Sequence, residues 1–419
     1  MRYSLLLTLF VFFSTNSIDA CPQNGLTIYS QEEIDSFSIK YQGCTAIEGN
    51  IYIRDRKGNI SNLAGLSALT SIEGDLTIFA IDSLKNLSGL ENLTHIGGNL
   101  GIKRCSSLVD LSALEKITTV HNNMSVSENP QLKDLTGLHN ITSVKGNLSI
   151  GNNNILESLS ALSKLKTIGG KLVIHNNNYL TNLMGLNSVN YIGDLVHIGI
   201  NDSLNSVAEL NRVDTIKGGL QFWNNSSLKI ISGFDSLEFV GGHLKFFGKH
   251  ILTNIPGLTN LTHVGGNLEI FKNENLTDIS GLKNLSSIGG KLVFYQNHSI
   301  KDLSGISGIT TIGESISVNS NEGLVSLSGM ENITSIGDYI KIYDNKILSS
   351  IEGIKNISPD NFKSYNKWVK DIEIFDNPNL SDCEIENVCS FFKLPSNSIK
   401  VQNNAQGCNN KGEILAGCK

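Results

Sequence analysis

The chain has 419 residues, 40% of them hydrophobic, with 17% charged, 7% aromatic and a formal net charge of -6. That mild acidity excludes the basic domain or stripe of a nucleic-acid-binding protein, and the 40 glycines form no collagen-like or low-complexity tract. Only 6 prolines occur, and the 7 cysteines are an odd number, which in a secreted chain marks one thiol without an internal partner.

Residues 1–20 read MRYSLLLTLFVFFSTNSIDA, with Arg2 at a positive start, an apolar run from Leu5 to Phe13, and small Ala20 at a cleavage site. This is a secretory signal peptide, which places the mature chain in an oxidising extracellular space, secreted or at the cell surface, where disulfides persist. No later stretch reaches the roughly 18 apolar residues of a membrane span, so no transmembrane segment is expected. Lipidation of Cys21 is a rival reading of the cleavage site. Asp19 suits it poorly, and Cys44 offers Cys21 a disulfide partner. Residues 21–50 form an N-terminal cap, and closing its Cys21–Cys44 loop would contribute about 3 kcal/mol in the chain-entropy model.

From residue 51 to 380 a repeat of 24 residues dominates. Gly65-Leu66 recurs as Gly89-Leu90, Ala113-Leu114, Gly137-Leu138 and onward to Gly353-Ile354 without insertion or deletion. Aliphatic columns at Ile72, Ile96, Val120 and at Leu84, Leu108, Leu132 keep the same register. Within one repeat, Leu84, Leu87, Leu90, Leu93 and Ile96 fall three apart, which an α-helix would carry off its face; tight 3₁₀-like turns or extended coil fit instead. Leu100 and Ile102 then alternate with Gly101, the period of a half-buried strand. Gly97-Gly98 is read as a sharp corner. Strands from Ile51 to Ile372 give fourteen coils, hence a rod about 65 Å long at the strand spacing. A solenoid with 24-residue turns is the expected fold.

A column of asparagines, from Asn129 through Asn153, Asn177, Asn201, Asn225, Asn273, Asn297 and Asn321 to Asn345, lies three residues after each strand's second apolar residue. It is expected to bond backbone groups at every coil. Ile81, Cys105 and Lys249 are its exceptions, and Cys105 is read as a buried structural free thiol.

The pattern L-x-I-x-x-N-x-x-L-x-x-L-x-G-L-x-x-L-x-x-I-G-G resembles receptor L-domain repeats, a branch of the leucine-rich-repeat superfamily, and especially long secreted or surface bacterial members. Cys21 to Asn50, with Tyr41, Gly43, Cys44, Thr45, Ile47, Glu48 and Gly49, is similar to that family's opening segment, and LSDCEIENVCSFF at 380–392 and NNAQGC at 403–408 to its cysteine-rich end. The resemblance implies a β-rich, right-handed solenoid of about 14 turns with disulfide-bonded caps, placed outside the cell. It implies no particular ligand.

Residues 381–419 are the C-terminal cap, after a slip of eight residues beyond Ile357. Cys383, Cys389, Cys408 and Cys418 allow three pairings, and their spacing lacks the close pairs of a zinc site. Ser381 and Glu384 are read as a capping box for a short helix toward Phe392.

Phosphate loops, HExxH, G-x-S-x-G and kinase signatures do not occur, and no cofactor or metal site is expected. The nine histidines are scattered, and outward strand positions carry isolated acids such as Glu269 and Glu373 rather than clustered carboxylates. The chain is read as non-enzymatic. One outward column is distinctive. Trp223, Phe247, Phe271 and Tyr295 fall on four consecutive coils, flanked by Gln221, Lys245, Glu269 and Val293. Contiguous exposed aromatics mark contact surfaces, so the expected function is recognition or adhesion through a protein or glycan ligand on this face. A passive surface rod, in which the rings only stack across strands, and a β-helix polysaccharide-acting enzyme are the alternatives. Sixteen N-x-[ST] sequons follow from the repeated NLT/NIT consensus, and the paired Thr/Ser column faintly resembles ice-binding solenoids.

Overall fold

A computed structural model describes residues 21–248, 251–358, 372–393 and 399–418. The signal peptide, Lys249 and the eight-residue slip before Ile372 lie outside these residues. Among those described, sixteen strands form one parallel sheet in chain order, from Leu26–Ile28 to Ile399–Gln402. Fourteen are the expected coil strands. The other two come from the caps, which therefore continue the sheet. Pairing is in strict register, Leu148 on Leu172 and Ile150 on Ile174, while Ile340 pairs with Ile372 to absorb the slip. Alternation sends the aliphatic residues inward to one contiguous core.

The return path also follows the sequence. Leu84, Leu87, Leu90, Leu93 and Ile96 are all buried, because three residues per turn bring every third side chain back to the core side. Short 3₁₀ turns form at Ala64–Leu66, Ser112–Leu114 and Ser160–Leu162. A second parallel sheet, absent from the sequence reading, is built from two-residue strands such as Ser71–Ile72 and Thr167–Ile168, in runs of ten and three among the described residues.

The glycine reading needs correction. Gly97 is not at a left-handed corner; a Cβ there would sit 2.2 Å from the carbonyl oxygen of Glu73, one coil earlier. At Gly169, Gly265 and Gly313 the same contact is 1.9, 2.2 and 2.0 Å, again to the preceding coil's carbonyl. Glycine is required here by close backbone approach. A left-handed corner follows most of the long strands and holds mainly ordinary residues: Ala80, Arg104, Glu128 and Asn152 have φ of 53°, 58°, 58° and 56°, and Gly248 takes the place after Phe247. A residue type tolerant of that conformation is favoured there, yet tertiary pairing on both sides holds even Ile200 in it.

The asparagine column forms the expected ladder. The backbone N–H of Asn153 donates to Asn177 Oδ1 at 3.2 Å, and Asn177 Nδ2 donates to the carbonyl of Ile150 at 3.1 Å. The pattern passes through Asn377 to Asn404 in the C-terminal cap. Cys105 keeps half of it, its N–H donating to Asn129 Oδ1, and burial pushes its thiol up to about 11. It is the one free cysteine among the described residues. The Thr/Ser column is another ladder: Thr94, Thr142, Thr262 and Thr310 each donate the hydroxyl proton to the carbonyl of the residue 24 earlier. Those hydroxyls are committed as donors to the preceding coil.

Three disulfides staple the ends, Cys21–Cys44, Cys383–Cys408 and Cys389–Cys418. Helix α1 (Gln31–Lys40) buries Ile34 and Phe37 over the first coil. Helix α2 spans Glu386–Lys393 and α3 spans Lys411–Gly417. The expected Ser381–Glu384 capping box does not form, because Asp382 still bridges Ser350 of the preceding coil and the helix begins only at Glu386. A side-chain cap exists instead on α3, where Asn410 Oδ1 accepts from the Glu413 N–H.

Candidate functional site

Parallel register stacks equivalent residues of successive coils, so any outward strand position becomes a row. Trp223 pairs with Phe247, Phe247 with Phe271, Phe271 with Tyr295, then Asn319, Tyr343 and Phe375 follow. The expected strip is therefore contiguous. Trp223 is 37% exposed, and Phe247, Phe271 and Tyr295 are half-buried. Ring centroids lie 4.1 Å apart for Trp223–Phe247 and 4.4 Å for Phe247–Phe271, both tilted. Lys272 lies 5.6 Å over the Phe247 ring.

The flanking row carries charge and amide groups. Lys245 Nζ meets Glu269 at 3.0 Å, both side chains largely covered, and Asn267 Nδ2 donates to the same carboxylate at 2.7 Å. Gln221 stands beside His197 across the strand pair. A second ion pair, Lys341–Glu373, lies four coils on, beneath the stacked Tyr343 and Phe375 rings.

Two features of this face escaped the sequence reading. The first is a histidine pair beside the strip. Gly151 and Gly199 interrupt the outward row, and a Cβ at either would lie 2.4 and 2.9 Å from Nε2 of His175 and His197 respectively. The imidazoles fill the space these glycines leave, and burial lowers both pKa values below 6.5. The second is a cleft of about 470 Å³ lined by Glu269, Phe271, Val293, Tyr295, Asn319, Ser320 and Tyr343. It exists because small Asn319 takes the place of a ring between Tyr295 and Tyr343.

A larger open hollow of about 700 Å³ lies on the second sheet, along Ser287, Gly289, Thr311, Gly313, Ser335 and Gly337. Its lining is small and aliphatic residues together with His263, whose Nδ1 lies 2.7 Å from Ser287 Oγ. No group of three or more His, Cys, Asp or Glu residues that could hold a metal occurs among the described residues. Of the sequon asparagines, Asn201, Asn225 and Asn297 are fully buried in the ladder, whereas Asn92, Asn260, Asn284 and Asn332 are exposed and donate Nδ2 to the preceding coil.

Compared with known families, residues 43–132 match the receptor L domain. Over that segment the repeat is similar to the receptor L domain. The same columns continue beyond Leu132 through the later coils, so the matched segment and the rest of the solenoid are one periodic structure. No curated protein matches the chain. Among solved structures, a complex of TLR13 with the RNA ssRNA13 aligns over 90% of this chain and 88% of its own, at 11% identity and a TM-score of 0.20. A likeness of that size decides neither fold nor ligand. No helix of the described residues is long and apolar enough to cross a membrane.

Proposed function

We propose that this receptor L-domain-type solenoid is a non-enzymatic extracellular recognition protein that holds its ligand on the exposed face of the long-strand sheet. The observation that carries this reading is the Trp223–Phe247–Phe271–Tyr295 row running straight into a cleft, with the Lys245–Glu269 pair alongside. Tilted, partly exposed rings offer apolar area at low entropic cost, and charged groups at their margin give orientation. Secretion follows from the leader at 1–20, and three disulfides suit an oxidising space.

A structural rod is the second reading, favoured by the ring contacts at 4.1 and 4.4 Å, which also stabilise the sheet. The two separate on a double variant, Trp223→Ala/Phe271→Ala, tested for binding to an oligosaccharide array and to isolated cell-surface proteins. Recognition predicts loss of binding with the solenoid intact. A rod predicts lowered stability and no binding by the wild type.

A further inference from the structure

The cleft between Tyr295 and Tyr343 has a composition that goes beyond a generic contact surface. Its walls are the rings of Phe271, Tyr295 and Tyr343 with Val293, and its floor is Asn319, only 5% exposed. Tyr295 and Tyr343 stand two coils apart, about 10 Å at the strand spacing, which leaves room for one saturated six-membered ring between two aromatic faces. Tyr295 makes no ring contact with its neighbours among the described residues, so its face is available to a ligand, unlike those of Phe247 or Phe375.

The polar groups are of both kinds. Asn319 Oδ1 accepts from Ser317 Oγ at 3.1 Å, while its Nδ2 has no protein partner among the described residues and is a donor at the cleft floor. Glu269 supplies acceptor oxygens at the rim, and Ser320, whose hydroxyl donates to Asp344 at 2.9 Å, leaves its lone pairs free. Lys245 already balances the Glu269 charge at 3.0 Å. A cationic side chain therefore gains little here, and an uncharged ligand is favoured. A volume of about 470 Å³ is of small-molecule size, whereas a protein partner needs roughly 800 Å² of surface on each side.

We infer that the cleft binds an uncharged pyranose unit of a glycan. One C–H-rich sugar face would lie against Tyr295 or Tyr343, with hydroxyls, each able to donate and accept, reaching Asn319 Nδ2 and the Glu269 carboxylate. This rests on the strand face being the recognition surface and names the class of ligand it takes.

The test is an array of neutral and acidic oligosaccharides probed with the full mature chain and with Asn319→Leu, Tyr295→Ala and, outside the strand face, Met184→Ala. Thermal melting checks the fold of each. Wild type is expected to retain at least one neutral hexopyranosyl oligosaccharide, with Asn319→Leu and Tyr295→Ala each weakening it about tenfold or more. Met184→Ala, outside the strand face, should bind as wild type. If no oligosaccharide is held, or if a folded Asn319→Leu variant binds one as wild type does, the inference is overturned. Should wild type instead capture a protein through Trp223 and Phe247 while ignoring every oligosaccharide, the sugar assignment falls and the strand-face reading stands. A glycan bound indifferently to every strand-face change overturns both.

Discussion

Replacing Asn177 by leucine should reveal how much of the solenoid's stability is held in its asparagine ladder. The side chain is fully buried. Its Oδ1 accepts from the backbone N–H of Asn153 at 3.2 Å, and its Nδ2 donates to the carbonyl of Ile150 at 3.1 Å. Leucine preserves the volume and removes both partners. Two buried backbone groups are then unsatisfied, at about 1–3 kcal/mol each, giving a loss of about 2–6 kcal/mol, a large part of the 5–15 kcal/mol typical of a domain. In a solenoid each coil touches only its neighbours, so amide exchange should accelerate first at Asn153 and in the coils beside it. Urea denaturation gives the global loss, and native-state hydrogen exchange gives its location. A loss below about 0.5 kcal/mol, the scatter of surface substitutions, would refute the ladder as a structural element.

Four further outcomes follow from the geometry. Cys105→Asn should extend the ladder one coil toward the N-terminus, leaving stability unchanged or raised by about 1 kcal/mol in denaturant melts, while native Cys105 should resist thiol reagents at pH 7 because burial holds its thiol near 11. Gly169→Ala should cost about 1–3 kcal/mol or prevent folding, since its Cβ would meet the Lys145 carbonyl oxygen at 1.9 Å; Gly101→Ala, with nothing nearer than 3.6 Å, should cost less than about 1. His175 and His197 have folded pKa values below 6.5, so the unfolded chain binds the additional protons. Stability should be intact above 6.5 and fall as pH drops through that value toward the lower folded ones, and a His175→Gln/His197→Gln variant should show a flatter melting-temperature profile from pH 7.5 to about 5. Reduction of the three disulfides should release α2, α3 and the N-terminal cap before the central coils, visible as early exchange at residues 21–50 and 383–418.

Much of this architecture is written in the spacing of residues. Leucines three apart, the I-x-I strand and the asparagine three residues later each report one geometric demand, repeated often enough that a single exception such as Cys105 stands out. The second sheet was hidden because its strands are two residues long, so that only one residue of each, such as Ile72 or Ile168, points inward and no alternation develops. Helix α1 carries Ser30 and Glu33, the spacing of a capping box, but its short amphipathic run buries only Ile34 and Phe37 and was overshadowed by the repeats beside it. At Gly97 and its equivalents the reason for glycine is steric, and distance between coils cannot be read from a single coil, whereas Gly89, Gly137, Gly185, Gly233 and Gly329 do hold positive φ. At the site, the aromatic row was legible because identical register turns a column of sequence into a row in space. The cleft was not, because it depends on what is missing: Asn319 between two tyrosines reads as an interruption until its depth is seen. The histidine pair joins neighbouring coils across two different columns, which a column-by-column reading separates.

The central claim is that ligand is held by the long-strand sheet and not by the second sheet. It is tested most directly by placing one arginine on each, Phe247→Arg and Thr311→Arg, and measuring the binding of both folded variants to the same oligosaccharide array and the same surface proteins. The account predicts that Phe247→Arg lowers binding by about tenfold or more while Thr311→Arg leaves it unchanged. Loss of binding on Thr311→Arg with Phe247→Arg unaffected would contradict it.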